Sequence, residues 1–479
     1  MFIEKILISL NKPLYFIIMK QLFISALLLS VAAAGFAVNP KGGIDDAMLG
    51  RLRASYKNDA NDKAISNALK SNDINALAVN NEAKNQLDEN FTYRVKSKGI
   101  TNQKSSGRCW LFTGLNVLRS QIMDEHDMPQ IEFSQTYNFF YDQLEKSNLF
   151  LQAMIDTAKL PEDNETVQWL FAHPIQDGGQ FTGIADNLMK YGIVPKSVMG
   201  ETYSSSATTN LRKVLSRRLR EDGLRLREMA AKGAKESALM AEKEKMLQGV
   251  YRMLTLTLGV PPTEFTWTQK DSKGNVVSTK TYTPQQFYKE FAGNDLKNDY
   301  VMFMNDPSRE YYKVYEIDYD RHNYDGENWK YINLPIDDIK KMAIESLKNG
   351  QMMYSSWDSG KFLNRQNGTA SLDNYDYGSL FGTTFGMDKG ERIRTKDSAS
   401  THAMTLCAVD LDANGKPVKW MVENSWGPVG DYNGHVVMTD DWVNEYLFRL
   451  VVNKKFVPAD ILKLKDQKPI LLPAWDPLF

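Results

Sequence analysis

Near residue 300 the periodicity of the chain changes, and that change constrains the fold more than any other feature. Before it, apolar residues recur at helical spacing. Leu111, Leu115 and Leu118 form one stripe, flanked by Phe112 and Val117, and Leu211, Leu215 and Leu219 form another. Helical patterning also runs through residues 133–151. After it, short apolar runs alternate with turn residues, and strands are expected at 300–304, 311–317, 352–357, 404–409, 419–424 and 435–438. One amphipathic helix, at 334–349, stands among them. Helical patterning thus gives way to a strand-rich second part.

Composition narrows the function classes. The net charge is −1, so no global positive field draws the chain to nucleic acid. Two cysteines, Cys109 and Cys407, exclude a disulfide scaffold and a four-cysteine zinc site. Nucleotide-binding glycine motifs and the H-E-x-x-H zinc motif are absent. No metal and no cofactor is expected. The segment from Asp410 to Gly415 begins like a calcium loop, but its twelfth position is Met421, so Asn414-Gly415 reads as a hairpin turn. His173 and His322 have no motif around them and default to structural roles.

The N-terminus reads as an address. From Met19, Lys20 supplies a positive start and Leu22 to Ala34 an apolar stretch. Small residues follow, ending in Gly35-Phe36-Ala37 or Ala32-Ala33-Ala34. A cleavable signal peptide over residues 1–37 is expected, with translation starting at Met19 as the alternative. The mature protein would then be secreted or periplasmic, without stable membrane insertion. The competing reading, an uncleaved anchor, has 17 apolar residues to Val38, at the lower limit of a span.

Cys109 carries the sharpest chemical signal. Ser105, Ser106 and Gly107 precede it as loop and cap residues, which places the thiol in the first turn of a helix. The helix dipole lowers a thiol pKa there, and a nearby imidazolium lowers it further. The alternative is a buried, inert cysteine. Six residues upstream, the Gln103 amide and the Cys109 backbone N–H form a candidate oxyanion hole. His402 opens one strand and Asn424 ends the next, so a hairpin turning at Asn414-Gly415 brings them side by side. Asn424 can then orient His402, and Trp426 can cover the bond. His435 is the competing base, without a paired orienter. Cys407 lies on the opposite strand face from His402 and reads as packed core.

Gln103, Ser105-Ser-Gly-Arg-Cys109-Trp110, His402 and Asn424-Ser-Trp-Gly427 together resemble the papain-like cysteine proteases. Longer strings resemble the bleomycin hydrolase and aminopeptidase C branch. They are Gln103 to Phe112, Ser134-Gln-Thr-Tyr137, Asp177-Gly-Gly-Gln180, Tyr191 to Met199 and Thr401-His-Ala-Met404. The separation of Cys109 and His402 is 293 residues, against about 130–150 in papain itself, which leaves room for an inserted subdomain.

The resemblance implies a two-lobed α+β fold, with a helical lobe carrying Cys109, a barrel-like lobe carrying His402 and Asn424, and a cleft between them. The expected divisions are an N-terminal arm and helical lobe (38–204), an inserted helical subdomain (205–300), a β-rich lobe (301–462) and a C-terminal arm (463–479). It implies a Cys109–His402–Asn424 triad with Gln103, and peptide substrates whose backbone lies along Gly178 and Gly179. Those two glycines otherwise form only a tight turn. It also implies a homohexamer with active sites facing an inner cavity. In this family the chain end lies in the cleft and receives the substrate's α-amine, a role that falls on Phe479. This tail is shorter than usual, so a tail that missed the cleft would leave an endopeptidase. The basic stretch 211–220 raises a third reading, a nucleic-acid-binding or structural oligomer, against a solvated helix face or subunit contact.

Overall fold

The computed structural model describes residues 42–83 and 87–479. The expected leader at 1–37 lies outside the described residues. Residues 42–77 belong to a unit of their own. It holds the helices Asp46–Ser55 and Ala60–Ser71, capped by the Asp45 and Asp59 carboxylates. Neither helix has a buried residue.

In residues 78–479 the organising element is α1, Cys109–Glu125. Its Leu111, Leu115, Leu118 and Ile122 face one hydrophobic cluster, while Val117 belongs to a second. The helix is therefore covered on nearly every side. Its cap differs from the expectation. Arg108 occupies the N-cap with no side-chain capping bond. The Gly107 N–H donates instead to Asp177 Oδ2 at 2.8 Å. The Arg108 guanidinium is fully buried and forks onto Glu201 at 3.1 and 2.8 Å.

Helix α2, Gln135–Asp156, starts where the Ser134 hydroxyl accepts the Tyr137 N–H at 3.0 Å. Helix α3, Phe181–Tyr191, stops at Gly192, whose φ is +76°. A Cβ there would lie 2.2 Å from the Pro284 carbonyl, so only glycine fits. Two long helices follow, α4 (Thr209–Ala231) and α5 (Glu236–Leu258), both packed on α2. Leu211, Leu215, Leu219 and Leu226 of α4 are buried, as are Met246, Val250, Leu254 and Leu258 of α5.

The segment 205–300 is not purely helical. It also contains an antiparallel hairpin, β1 (Phe265–Lys270) and β2 (Val276–Tyr282). These strands are mostly exposed and joined by threonine pairs, Thr266 with Thr281 and Thr268 with Thr279, both at 3.0 Å. Without a long apolar run they left little trace in the hydrophobic pattern.

The second half is one mixed sheet, twelve-stranded among the described residues. Its main strands are β3 (Tyr300–Met304), β4 (Lys313–Ile317), β5 (Lys330–Asn333), β6 (Met353–Trp357), β7 (His402–Leu411), β8 (Pro417–Glu423), β9 (His435–Thr439), β10 (Leu447–Asn453) and β11 (Ile470–Leu472). Their order is β11-β4-β5-β3-β10-β6-β7-β8-β9. Helix α6, Ile336–Lys348, covers the sheet with Ile339, Met342, Ala343 and Leu347. All six expected strands and the helix among them are present, with ends shifted by up to two residues. Strands β5, β10 and β11 were not anticipated.

The β7–β8 turn is the anticipated hairpin. Asp412 Oδ1 accepts the N–H groups of Asn414 and Lys416 at 2.8 and 2.9 Å, and Gly415 has φ +76°. Among the described residues no helix is long and apolar enough to cross a membrane.

Candidate active site

Cys109 begins α1 at the wall of a cavity of about 440 Å³. Gln103, Gly178, Gly179, His402 and Phe479 line the same cavity. The structure thus brings together residues from a loop, two helix starts, the mouth of β7 and the tail. Asn424 stands behind His402 and accepts from its Nε2 at 2.8 Å. That bond leaves Nδ1 as the ring nitrogen available to the thiol. Trp426 stacks on the imidazole, with ring centroids 4.9 Å apart and planes at 26°. Arg365 in turn lies 4.4 Å from the centroid of the Trp426 ring.

Gln103 is tied to the Asn424 loop at both ends. Its backbone N–H donates to the Ser425 carbonyl at 2.8 Å, and its Oε1 accepts from Ser425 Oγ at 2.6 Å. Nε2 donates one proton to the Ser106 carbonyl at 2.6 Å. A primary amide has two such protons, so one remains for a ligand.

The glycine edge is equally constrained. Lys146 Nζ donates to the Gly178 carbonyl at 2.6 Å, and Trp110 Nε1 to the Asp177 carbonyl at 2.9 Å. A Cβ on Gly179 would lie 2.2 Å from the His322 ring. His322 keeps a structural place there. Its Nδ1 is 2.6 Å from Asp142 Oδ1 and its Nε2 3.0 Å from Gln180 Oε1. His435 does not line the cavity. Its Nδ1 meets the Tyr432 carbonyl at 3.0 Å.

Electrostatics correct one expectation. Burial pushes the Cys109 thiol up, and the nearby Asp177 charge adds to this. The backbone N–H groups of Ala403 and Trp110 pull it down but do not win. Burial also pushes His402 down to about 4, with Arg365 acting in the same sense and the Asn424 bond against it. Each group alone resists charge. Cys407 is fully buried in the sheet core, and its thiol donates to the Met421 carbonyl at 3.3 Å.

The tail reaches the cavity. Strand β11 adds to β4 in parallel, and Asp476 then pairs with Arg309. Arg449 Nη2 donates to the Leu478 carbonyl at 2.5 Å, Leu478 is fully buried, and the Phe479 ring sits edge-on to Trp169 at 5.0 Å.

Three of the five basic residues in the stretch 211–220 take definite places in the structure, while Lys213 and Arg217 are exposed. Arg218 forks onto Asp222 at 2.8 and 2.6 Å, and Arg220 donates to the Phe171 and Ala172 carbonyls. Arg212 lines the Cys109 cavity beside Asp177. Sequence reasoning missed Arg212 in that place, along with Asp320 and Arg449, which line the same cavity. Asp177 was visible only as part of the Asp177-Gly-Gly-Gln180 string. Asp320 and Arg449 had no motif to mark them.

Comparison with known proteins accords with this geometry. Residues 43–479 match the peptidase C1-like family. Bleomycin hydrolase of Rattus norvegicus is 40% identical over 392 residues, covering 80% of this chain and 86% of that protein. Aminopeptidase C of Streptococcus thermophilus is 36% identical over 430 residues, covering 89% of this chain and 96% of that one. The crystal structure of PepW from Lactobacillus rhamnosis HN001 superposes with a TM-score of 0.87 at 38% identity, covering 91% of this chain and 99% of that one. The fold is accordingly papain-like, and the chain belongs to the peptidase C1-like family as a cysteine peptidase.

Proposed function

We propose that this chain removes N-terminal residues from peptides by thiol acyl transfer, with Cys109 as nucleophile, His402 as acid and base, and Asn424 as its orienter. One observation carries the reading: Cys109, the orienter-bonded His402 and the tail residue Phe479 share one cavity. The similarity to aminopeptidase C and bleomycin hydrolase supports it.

In the first half-reaction the thiol proton passes to His402 Nδ1 and Sγ bonds to the peptide carbonyl carbon. The oxygen gains the negative charge and receives hydrogen bonds from the Cys109 backbone N–H and the spare Gln103 amide proton. The C–N bond then breaks, and the leaving amine takes the His402 proton. In the second half, water gives its proton to neutral His402 and attacks the thioester carbon. Sγ leaves and recovers the proton. Asn424 holds the ring in one tautomer through both halves.

The tail supplies the exopeptidase character. Phe479 lines the cavity beside Cys109, where the tail would limit room for chain preceding the cleaved residue and its carboxylate would receive the α-amine. Gly178 and Gly179 form the edge along the substrate backbone. We further propose a cleavable leader over residues 1–37, secreted or periplasmic action, and assembly as a homohexamer, which the family resemblance suggests.

The test is a substrate panel. Free amino-acid amides should be hydrolysed and their N-acetyl forms should not, and iodoacetamide should stop turnover. Equal cleavage of both forms would replace this reading with an endopeptidase.

A further inference from the structure

The wall of the Cys109 cavity holds a carboxylate that acyl transfer does not use. Asp320 lies between β4 and β5, is 6% exposed, and lines the cavity. Its Oδ1 accepts from Gln180 Nε2 at 2.5 Å, and the same amide donates to the Asp320 carbonyl at 2.9 Å. Gln180 directly follows Gly178 and Gly179, so the carboxylate is locked to the glycine edge. Oδ2 is buried without any hydrogen-bond partner. The cation facing it, Arg449, stands 3.9 Å away, beyond hydrogen-bonding reach, because that guanidinium serves the Leu478 carbonyl.

A buried carboxylate oxygen without a donor is costly, and native structures rarely leave one unexplained. The missing partner has a definite chemistry. It carries positive charge, donates a hydrogen bond, and arrives in the cavity between the glycine edge and the tail. A peptide's α-ammonium group has all three properties.

We propose that Asp320 is a binding residue for the substrate's α-ammonium group, with Oδ2 accepting one of its N–H bonds while the adjacent carbonyl lies against Cys109. The assignment rests on the aminopeptidase reading above. It makes selection for a free N-terminus depend on a side chain as well as on the tail. Burial holds the Asp320 pKa up at about 6, against the pull of Arg449 and Lys146 and with a push from Asp476. The group is therefore charged at neutral pH and loses its charge just below it.

The experiment compares wild type with Asp320→Asn on alanyl-aminomethylcoumarin, whose only cation is the α-amine, and on its N-acetyl form. The variant should raise KM for the free-amine substrate about tenfold or more, as the loss of one charge-assisted hydrogen bond does, with kcat within about threefold of wild type. In wild type, KM should fall as pH rises through about 6, and this limb should vanish in the variant. A measurement on wild type alone guards against a misfolded variant. L-alaninamide should slow alkylation of Cys109 more than propionamide does at pH 7.5, and that advantage should shrink several-fold below about pH 5.5. A variant KM within twofold of wild type, or equal protection at both pH values, overturns the assignment while the aminopeptidase reading stands. A wild type that prefers the acetylated substrate removes both.

Discussion

His402 Nε2 and Asn424 Oδ1 meet at 2.8 Å across the open mouth of a single hairpin, β7–β8. The contact fixes which ring nitrogen faces the cavity. Asn424→Ala frees the ring to rotate, and misplacing a reacting group by about 1 Å costs on the order of 10²-fold. Turnover of a free amino-acid amide should therefore fall by about that factor, with KM little changed. A variant with wild-type kcat would show that the ring needs no orienter.

Gln103 is held by Ser425 and Ser106 with one amide proton to spare. Gln103→Ala should lower kcat by about 10²- to 10³-fold, the usual loss of one oxyanion donor. The check is steady-state kinetics with a melting curve, since the substitution also removes the bond to the Asn424 loop.

The two thiols should separate by reactivity. Cys109 is partly exposed in the cavity, whereas Cys407 is buried and its thiol is pushed far up by burial and by Glu423. Peptide mapping after brief iodoacetamide treatment should find label on Cys109 alone. Cys109→Ser should abolish turnover, and Cys407→Ser should retain it.

Asp320 gives a stability prediction with a definite sign. Its folded pKa of about 6 lies above the ordinary 3.8. Below 3.8 both states are protonated and the group costs nothing. Between 3.8 and 6 the folded state holds a proton that the unfolded chain releases, so stability falls as pH rises through this window. Above 6 the full cost is present, about 3 kcal/mol at most. Asp320→Asn should match wild type at pH 3.5 and be the more stable protein at pH 7.5 in urea unfolding. Equal urea midpoints at both pH values would count against a strained carboxylate.

Phe479 lines the cavity, with Leu478 fully buried behind it. Removing these two residues should open the wall, raise cleavage of N-blocked peptides and erase the advantage of a free amine. Mass spectrometry of a digested N-acetyl decapeptide reads the change directly.

Much of this site was legible because its parts are local or repetitive. Cys109 follows a loop and precedes a leucine stripe. His402 and Asn424 lie 22 residues apart around a turn that Asn414-Gly415 marks. What was not legible is non-local or polar. Strand β10 carries Arg449 as its third residue, which breaks the apolar run although the strand is central in the sheet. The β1–β2 hairpin is stabilised by threonine pairs instead of core contacts. Asp320 acquires its meaning from Gln180, Arg449 and the tail, which meet it only after folding. The thiol pKa expected to be low at the helix start is pushed up instead, because burial of the site outweighs the backbone N–H groups that reach the sulfur.

The hairpin that unites His402 with Asn424 also sets an order of events in synthesis. Cys109 leaves the ribosome some 290 residues before His402. The strand that carries Arg449 and the tail that lines the cleft come later still. A long-range site of this kind closes only when distant segments have paired. The growing chain therefore passes most of its assembly with a thiol and no partner to activate it. Topology itself acts as a safety catch, keeping an incomplete protease harmless to its neighbours and to itself.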